Sequence, residues 1–278
     1  MTAAEFTPIV LGASFLAGFL GSLTGLGGGV IVTPVLTLFL GVDLRYAIGA
    51  SLVSVIATSS GAAAAYVRDG YSNIRIGMFL EIATTLGAIF GALIGTHIPT
   101  TALSIIFGVI LLQAAWQTSR ERKSGKKPAP PDPLGETLHL NEAYMTPQGL
   151  ESYVVHRVKA GFVLMFGAGT LSGLLGIGSG SLKVIAMDQA MQIPFKVSTA
   201  TSNFMIGVTA AASASLYLSR GYVNPAIAMP VMLGVLSGSM MGARFLARLP
   251  VTLLRRVFAV VVAVMAIEMI FSGARGGL

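Results

Sequence analysis

The residues best placed to do chemistry in this chain are backbone amides and hydroxyls rather than acids, bases or thiols. Residues 25–34 read GLGGGVIVTP and residues 176–184 read GIGSGSLKV, both inside otherwise apolar stretches. Glycines this dense break a helix, permit a tight bend and let backbone approach a ligand closely. The short apolar piece after each break then presents unpaired N–H groups and the positive end of a helix dipole, which suits an anion. Hydroxyl groups follow in both halves: Ser51, Ser54, Thr58, Ser59 and Ser60 in the first, and VSTATSN, with Ser198, Thr199, Thr201, Ser202 and Asn203, in the second. Such groups bind an oxyanion without adding fixed charge.

Each of these features also has a packing interpretation. Gly21, Gly25 and Gly29 fit a G-x-x-x-G ladder, and Ser and Thr commonly bridge membrane helices. Recurrence of the break, each time with a short apolar piece behind it, favours a site, as does the match of Ser51 with Ser202. For Ser59 and Ser60 packing is the better reading. Gly87, Gly91 and Gly95, and Gly234, Gly238 and Gly242, recur at every fourth residue and read as faces for close helix approach.

Ionisable residues inside the apolar segments are Glu81, Lys183, Asp188, Arg244 and Glu268. Charges at membrane depth are functional candidates by default. Lys183 stands in the first turn of a short helix, where the dipole repels a cation, so it calls for a substrate anion or for Asp188 nearby. Glu81 and Glu268 lie near helix ends, can reach the interface, and are the candidates for proton coupling. Arg244 can snorkel.

Other chemistries fail on the residues. With no cysteine, disulfides, thiolate zinc sites and Cys–His nucleophiles are excluded. His97, His139 and His156 form no ligand-spaced or acid-paired motif. G-I-G-S-G has its serine one place late for a nucleophile elbow, and neither break fits a dinucleotide fingerprint. No enzyme, metal or cofactor is expected.

The surroundings explain what must hold these groups. The chain has 278 residues, 54% hydrophobic and 10% charged, with mean hydropathy +0.80. A soluble domain would carry about a quarter charged residues. Thr7 to Leu40 has no Asp, Glu, Lys, Arg or His, and as one helix would be ~51 Å long, too long for a single upright span. The expectation is an all-α polytopic membrane protein, with the lipid bilayer as its surroundings. Its net charge of +7 sits in the connections between apolar runs, as membrane topology requires, so nucleic acid is not an expected partner. The N-terminus MTAAEF lacks the basic start of a signal peptide and is expected to be mature protein.

A shift of 151 residues lays Gly25 on Gly176 and, without a gap, Ser51 on Ser202, Tyr66 on Tyr217, Asn73 on Asn224, Gly91 on Gly242 and Pro99 on Pro250. The chain is an internal duplication. Its expected parts are a first transmembrane repeat, 1–118, a linker, 119–157, and a second repeat, 158–278. Each repeat has a glycine-broken pair and about three further helices. The second apolar piece of each, ~18 Å as a helix, is too short to cross, so either six full crossings with hairpins or ten crossings are open. The linker is charged and proline-rich, and Arg120, Arg122, Lys123, Lys126 and Lys127 follow directly on an apolar helix, which places it in the cytoplasm. The loop before the fifth piece has only His97 in the first half, whereas Arg244, Arg248, Arg255 and Arg256 surround its counterpart. Opposite bias at equivalent positions predicts inverted repeats, with both termini outside.

GLGGGVIVTP, GIGSGSLKV, KVSTATSNFMIGVTAAAS and RGYVNP, with the two-unit layout, resemble the TauE/SafE family of membrane anion permeases over nearly the whole chain except the linker. The resemblance implies a transporter exporting sulfite, sulfoacetate or a related organosulfonate by alternating access around a midplane anion site. The rival reading is an anion channel, or an importer of another small oxyanion such as thiosulfate. Carried onto this sequence, the substrate site is Gly25, Gly27, Gly28, Gly29, Ser51, Gly176, Gly178, Ser179, Gly180, Ser202 and Asn203, with Lys183 beside it. Two departures stand out: Ser179 where the family usually has glycine, and Ile185 where proline is common. The expected partner is a small anion; glycine faces not used within the chain would suit a homodimer.

Overall fold

The structure is a computed structural model that describes residues 3–24, 29–68, 72–119, 130–146, 149–246 and 251–275. The first half runs α1 (Ala3–Thr24), α2 (Gly29–Pro34), α3 (Leu44–Arg68), α4 (Ile74–Gly95) and α5 (Thr100–Ser119). The second runs α7 (Val158–Leu175), α8 (Gly180–Ile185), α9 (Phe195–Ser219), α10 (Pro225–Leu246) and α11 (Val251–Ala274). Between them lie α6 (Pro133–Thr137) and a hairpin of β1 (Glu142–Thr146) and β2 (Gly149–Tyr153).

The halves share local devices at repeat-related positions. Asn73 caps α4 by accepting from Ile76 N at 2.9 Å, and Asn224 caps α10 by accepting from Ala226 N at 2.9 Å; such caps satisfy an otherwise orphaned amide. Short helices α2 and α8 each widen into a π-turn, Val35–Phe39 and Ala186–Ala190. Each then leaves through a left-handed residue, Gly41 or Gln192. Proline precedes the first π-turn at Pro34 but not the second, so the turn does not depend on it.

Among the described residues, four helices are long and apolar enough to cross a bilayer: α4, α5, α7 and α10. Along α4, Met78, Ile82, Leu86 and Phe90 are exposed at every fourth residue, a stripe that suits lipid. The chain is a helical, multi-pass membrane protein, with one small β-hairpin in its linker.

Packing exchanges elements between the halves. α4 packs on α7 and α9, and α10 on α1 and α3. A Cβ on Gly91 would overlap Thr170 O, and one on Gly173 would overlap Ala88 O; Gly87 and Gly169 make the same reciprocal approach. α1 and α10 close on each other likewise through Gly18, Gly234 and Gly238. These glycine faces are thus used inside the chain. The contacts also give directions. In α4 and α7 residue numbers rise together (Thr84 by Gly169, Ala88 by Gly173), so the two run parallel. In α5 and α11 they run opposite: Gly108 meets Ala266, whereas Ser104 and Thr101 meet Gly273. α3 and α9 are also antiparallel, with Gly49 by Tyr222, Ser59 by Gly207 and Asn73 by Thr201.

The linker, read from composition as a merely aqueous connection, is folded over 130–157 apart from residues 147–148, which are not described. Leu140, Tyr153 and Val155 are buried against Ile76, Met187 and Met191. Asn73 Nδ2 donates to Leu140 O at 3.1 Å and to the Tyr153 hydroxyl at 2.7 Å. His156 N donates to Met191 O at 3.0 Å. Burial pushes the Tyr153 phenol up to about 12, so it stays protonated in this contact at any physiological pH.

Candidate functional site

Gly29, the last glycine of the first break, lies against the second break. After α7 the chain turns left-handed at Gly176 (φ 67°), Gly178 (φ 71°) and Ser179 (φ 44°) before α8 begins. Two of these positions suit glycine; Ser179 bears the strain of a non-glycine residue there, on the order of 1–3 kcal/mol. The Ser51 hydroxyl lies between the breaks, 3.1 Å from Gly29 O and 2.9 Å from Gly176 O, and donates to them. Ser202, its repeat mate, donates to Gly180 O at 3.2 Å. Both hydroxyl protons are therefore directed at carbonyls, and these serines act as clasps on the bends. Ser51→Ala is expected to lower thermal stability by about 1 kcal/mol and to reduce transport by loosening the breaks, read by melting and flux on the same preparation.

Of the remaining candidates, Gly25, Gly27 and Gly28 lie outside the described residues. Asn203 is half-buried and turns its amide onto Thr199 O at 3.0 Å. Ser179 differs from the other hydroxyls of the set. It is 2% exposed, yet its Oγ has no hydrogen-bond partner among the described residues. It lines a cavity between the start of α2, the second break and α5, with Val30, Ile177, Leu182 and Gln117 around it. The cavity is only about 10 Å³, room for one water, so the structure is closed around it. Gln117 Oε1 is also buried without a partner among the described residues. Gln117 and its cavity neighbour Gln113 escaped the sequence reading because they carry no charge. Two amides one turn apart in an apolar helix were the available signal.

Lys183 is fully buried but turns away from this cavity. Its Nζ donates to Thr209 Oγ1 and lies 4.0 Å from Glu81 Oε2. Thr209 and Thr85 donate to Glu81 Oε1 at 2.7 and 2.9 Å. Lys183 thus faces Glu81, in the other half of the chain, rather than a site anion or Asp188. Glu81 is buried rather than at the interface, because α7 and α9 cover α4 there. Glu268 is exposed on α11, away from this cluster.

A short helix starting at Gly29, meeting the glycine-rich turn at Gly176–Gly180 beside a hydroxyl that has no partner among the described residues, accords with a permease. A family model described as "Sulfite exporter TauE/SafE" matches residues 10–269. The chain belongs to the TauE/SafE family. Among TauE/SafE relatives, the probable membrane transporter protein YunE of Bacillus subtilis is 27% identical over 95% of this chain and 97% of its own. The probable membrane transporter protein MJ0441 of Methanocaldococcus jannaschii is 24% identical over 95% of each. The sulfite exporter TauE/SafE family protein 5 of Arabidopsis thaliana is 30% identical over 41% of this chain and 25% of its own. No solved structure matches. The two TauE/SafE relatives matched over nearly their full length are both named as probable membrane transporters.

Proposed function

We propose that the chain exports small sulfur oxyanions, sulfite or a related organosulfonate, by alternating access around the cavity at Ser179. The observation that carries this is the Ser179 hydroxyl in the second break, buried and without a hydrogen-bond partner among the described residues. A buried polar atom left unsatisfied is destabilising, and a ligand oxygen would satisfy it. Ser51 and Ser202 hold the bends, and Lys183 with Glu81 ties α8 to α4.

Antiparallel packing of α3 on α9 and of α5 on α11 supports inverted repeats, since equivalent helices related by an axis along the membrane normal would run parallel. The helix directions argue that Ala3 of α1 and Ala274 of α11 are at the ends away from the linker. With the linker's cations holding it in the cytoplasm, this favours termini outside. The packing favours two exchanged bundles as the rocking bodies: α1, α2, α3 with α10, and α7, α8, α9 with α4. A membrane negative inside would drive export of an anion with ~2.3 kcal/mol per charge per 100 mV.

The test is efflux from proteoliposomes, with sulfite compared against sulfate and chloride. Saturable sulfite flux, reduced about ten-fold in Ser179→Ala, is expected. The carrier step is tested by cross-linking, for which the absence of native cysteine is convenient. A Cβ at Gly207 would stand 3.6 Å from Ser59 Cβ, within the range a disulfide bridges. Oxidised Ser59→Cys/Gly207→Cys should stop flux, and reduction should restore it. Non-saturable flux indifferent to that cross-link would make the protein a channel.

A further inference from the structure

We infer that the cavity at the second break selects a singly charged oxyanion that still carries a proton, and that Gln117 reads that proton. The inference rests on the carrier reading above and concerns the protonation state of what is carried.

Charge is the first ground. No Asp, Glu, Lys, Arg or His is among the described residues around the cavity. Lys183, the nearest cation in sequence, sits on the other side of α8 and is balanced there by Glu81. An anion entering such a space loses its hydration without meeting a counter-ion. The cost of that transfer grows with the square of the charge, so a dianion pays about four times what a monoanion does.

The second ground is the pair of orphaned atoms. Ser179 Oγ can donate to an oxyanion, but Gln117 Oε1 is an acceptor and repels one. An acceptor buried without a partner wants an O–H. A monoprotonated oxyanion such as hydrogensulfite supplies both needs: an anionic oxygen for Ser179 from the second half, and a hydroxyl for Gln117 from the first. A fully deprotonated dianion leaves Gln117 unpaired and adds repulsion. A sulfonate has the right charge but no proton to give.

The test uses wild-type protein in proteoliposomes with equal pH on both sides and constant total sulfite, followed across the pH at which hydrogensulfite loses its proton. Methanesulfonate, a permanent monoanion, is measured in parallel. Sulfite flux should fall with the hydrogensulfite fraction, roughly ten-fold per pH unit once past that point, while methanesulfonate flux stays level and lower. Gln117→Leu should reduce hydrogensulfite flux about ten-fold and leave methanesulfonate flux the same or higher, since the repelling acceptor is gone. Sulfite flux that tracks the dianion, or methanesulfonate flux that falls in step with sulfite, would overturn the inference while the carrier reading stands. Absence of flux for every sulfur anion would overturn both.

Discussion

Lys183→Met is expected to destabilise the protein by about 3–5 kcal/mol, and Lys183→Met/Glu81→Gln to recover most of that loss. Both side chains are buried, Lys183 completely and Glu81 at 8% exposure. Their attraction is mediated partly by Thr209, which accepts from the ammonium and donates to the carboxylate. Removing the lysine leaves a carboxylate whose second oxygen already has no hydrogen-bond partner. Removing the glutamate alone leaves a buried ammonium with only a threonine. Removing both charges leaves groups that Thr85 and Thr209 can still satisfy. Melting temperatures of purified protein in detergent separate these cases. Two mild single variants with no recovery in the double would show that the pair is not a mutual charge balance. Because the pair joins the halves, the single variants should also lose transport, whereas the double keeps its fold for a flux comparison.

The second large effect is at the α4–α7 seam. Gly91→Ala and Gly173→Ala should each lower stability by about 1–3 kcal/mol, with the double less costly than the sum. Each new methyl would overlap a carbonyl oxygen of the facing helix, Thr170 O or Ala88 O, and backbone cannot swing aside as a side chain can. The helices must separate along the seam. Once the first methyl has separated them, the second meets less resistance. Gly167→Ala is the control on the same helix: its Cβ would meet nothing within 4 Å, so it should be neutral or slightly stabilising. Equal effects at Gly167 and Gly173 would mean that helix propensity, not close approach, is what these glycines serve.

These cases show which parts of the molecule were readable in its sequence. Glycines at every fourth residue announced close helix faces, and the repeat offset paired Asn73 with Asn224 and Ser51 with Ser202 in matching roles. The partner of each face was not readable, because α4 of one half docks on α7 of the other, and a one-dimensional register carries no trace of such an exchange. Lys183 was weighed against its sequence neighbour Asp188, yet its counter-charge comes from across the fold. Charge is what marks a residue in an apolar run as a candidate, so the uncharged Gln117 is not legible there although its acceptor has no partner among the described residues. In the linker, proline and charge concealed a hairpin whose apolar contacts, Leu140, Tyr153 and Val155, are too sparse to give a periodic pattern.

In the alternating-access carrier proposed above, the folded linker has a consequence for how the protein idles. Two inverted copies of one unit would make the inward-open and outward-open forms near mirror images, close in energy and visited about equally. The module built from residues 130–157 breaks that balance, for it seats on Asn73, Met187 and Met191 at one face and has no counterpart among the described residues at the other. In that carrier, whichever form keeps this seat intact would be the resting one, and each 1.4 kcal/mol of seat energy would shift the idle population about ten-fold. A duplicated body thus acquires a preferred side from the one segment that was never duplicated.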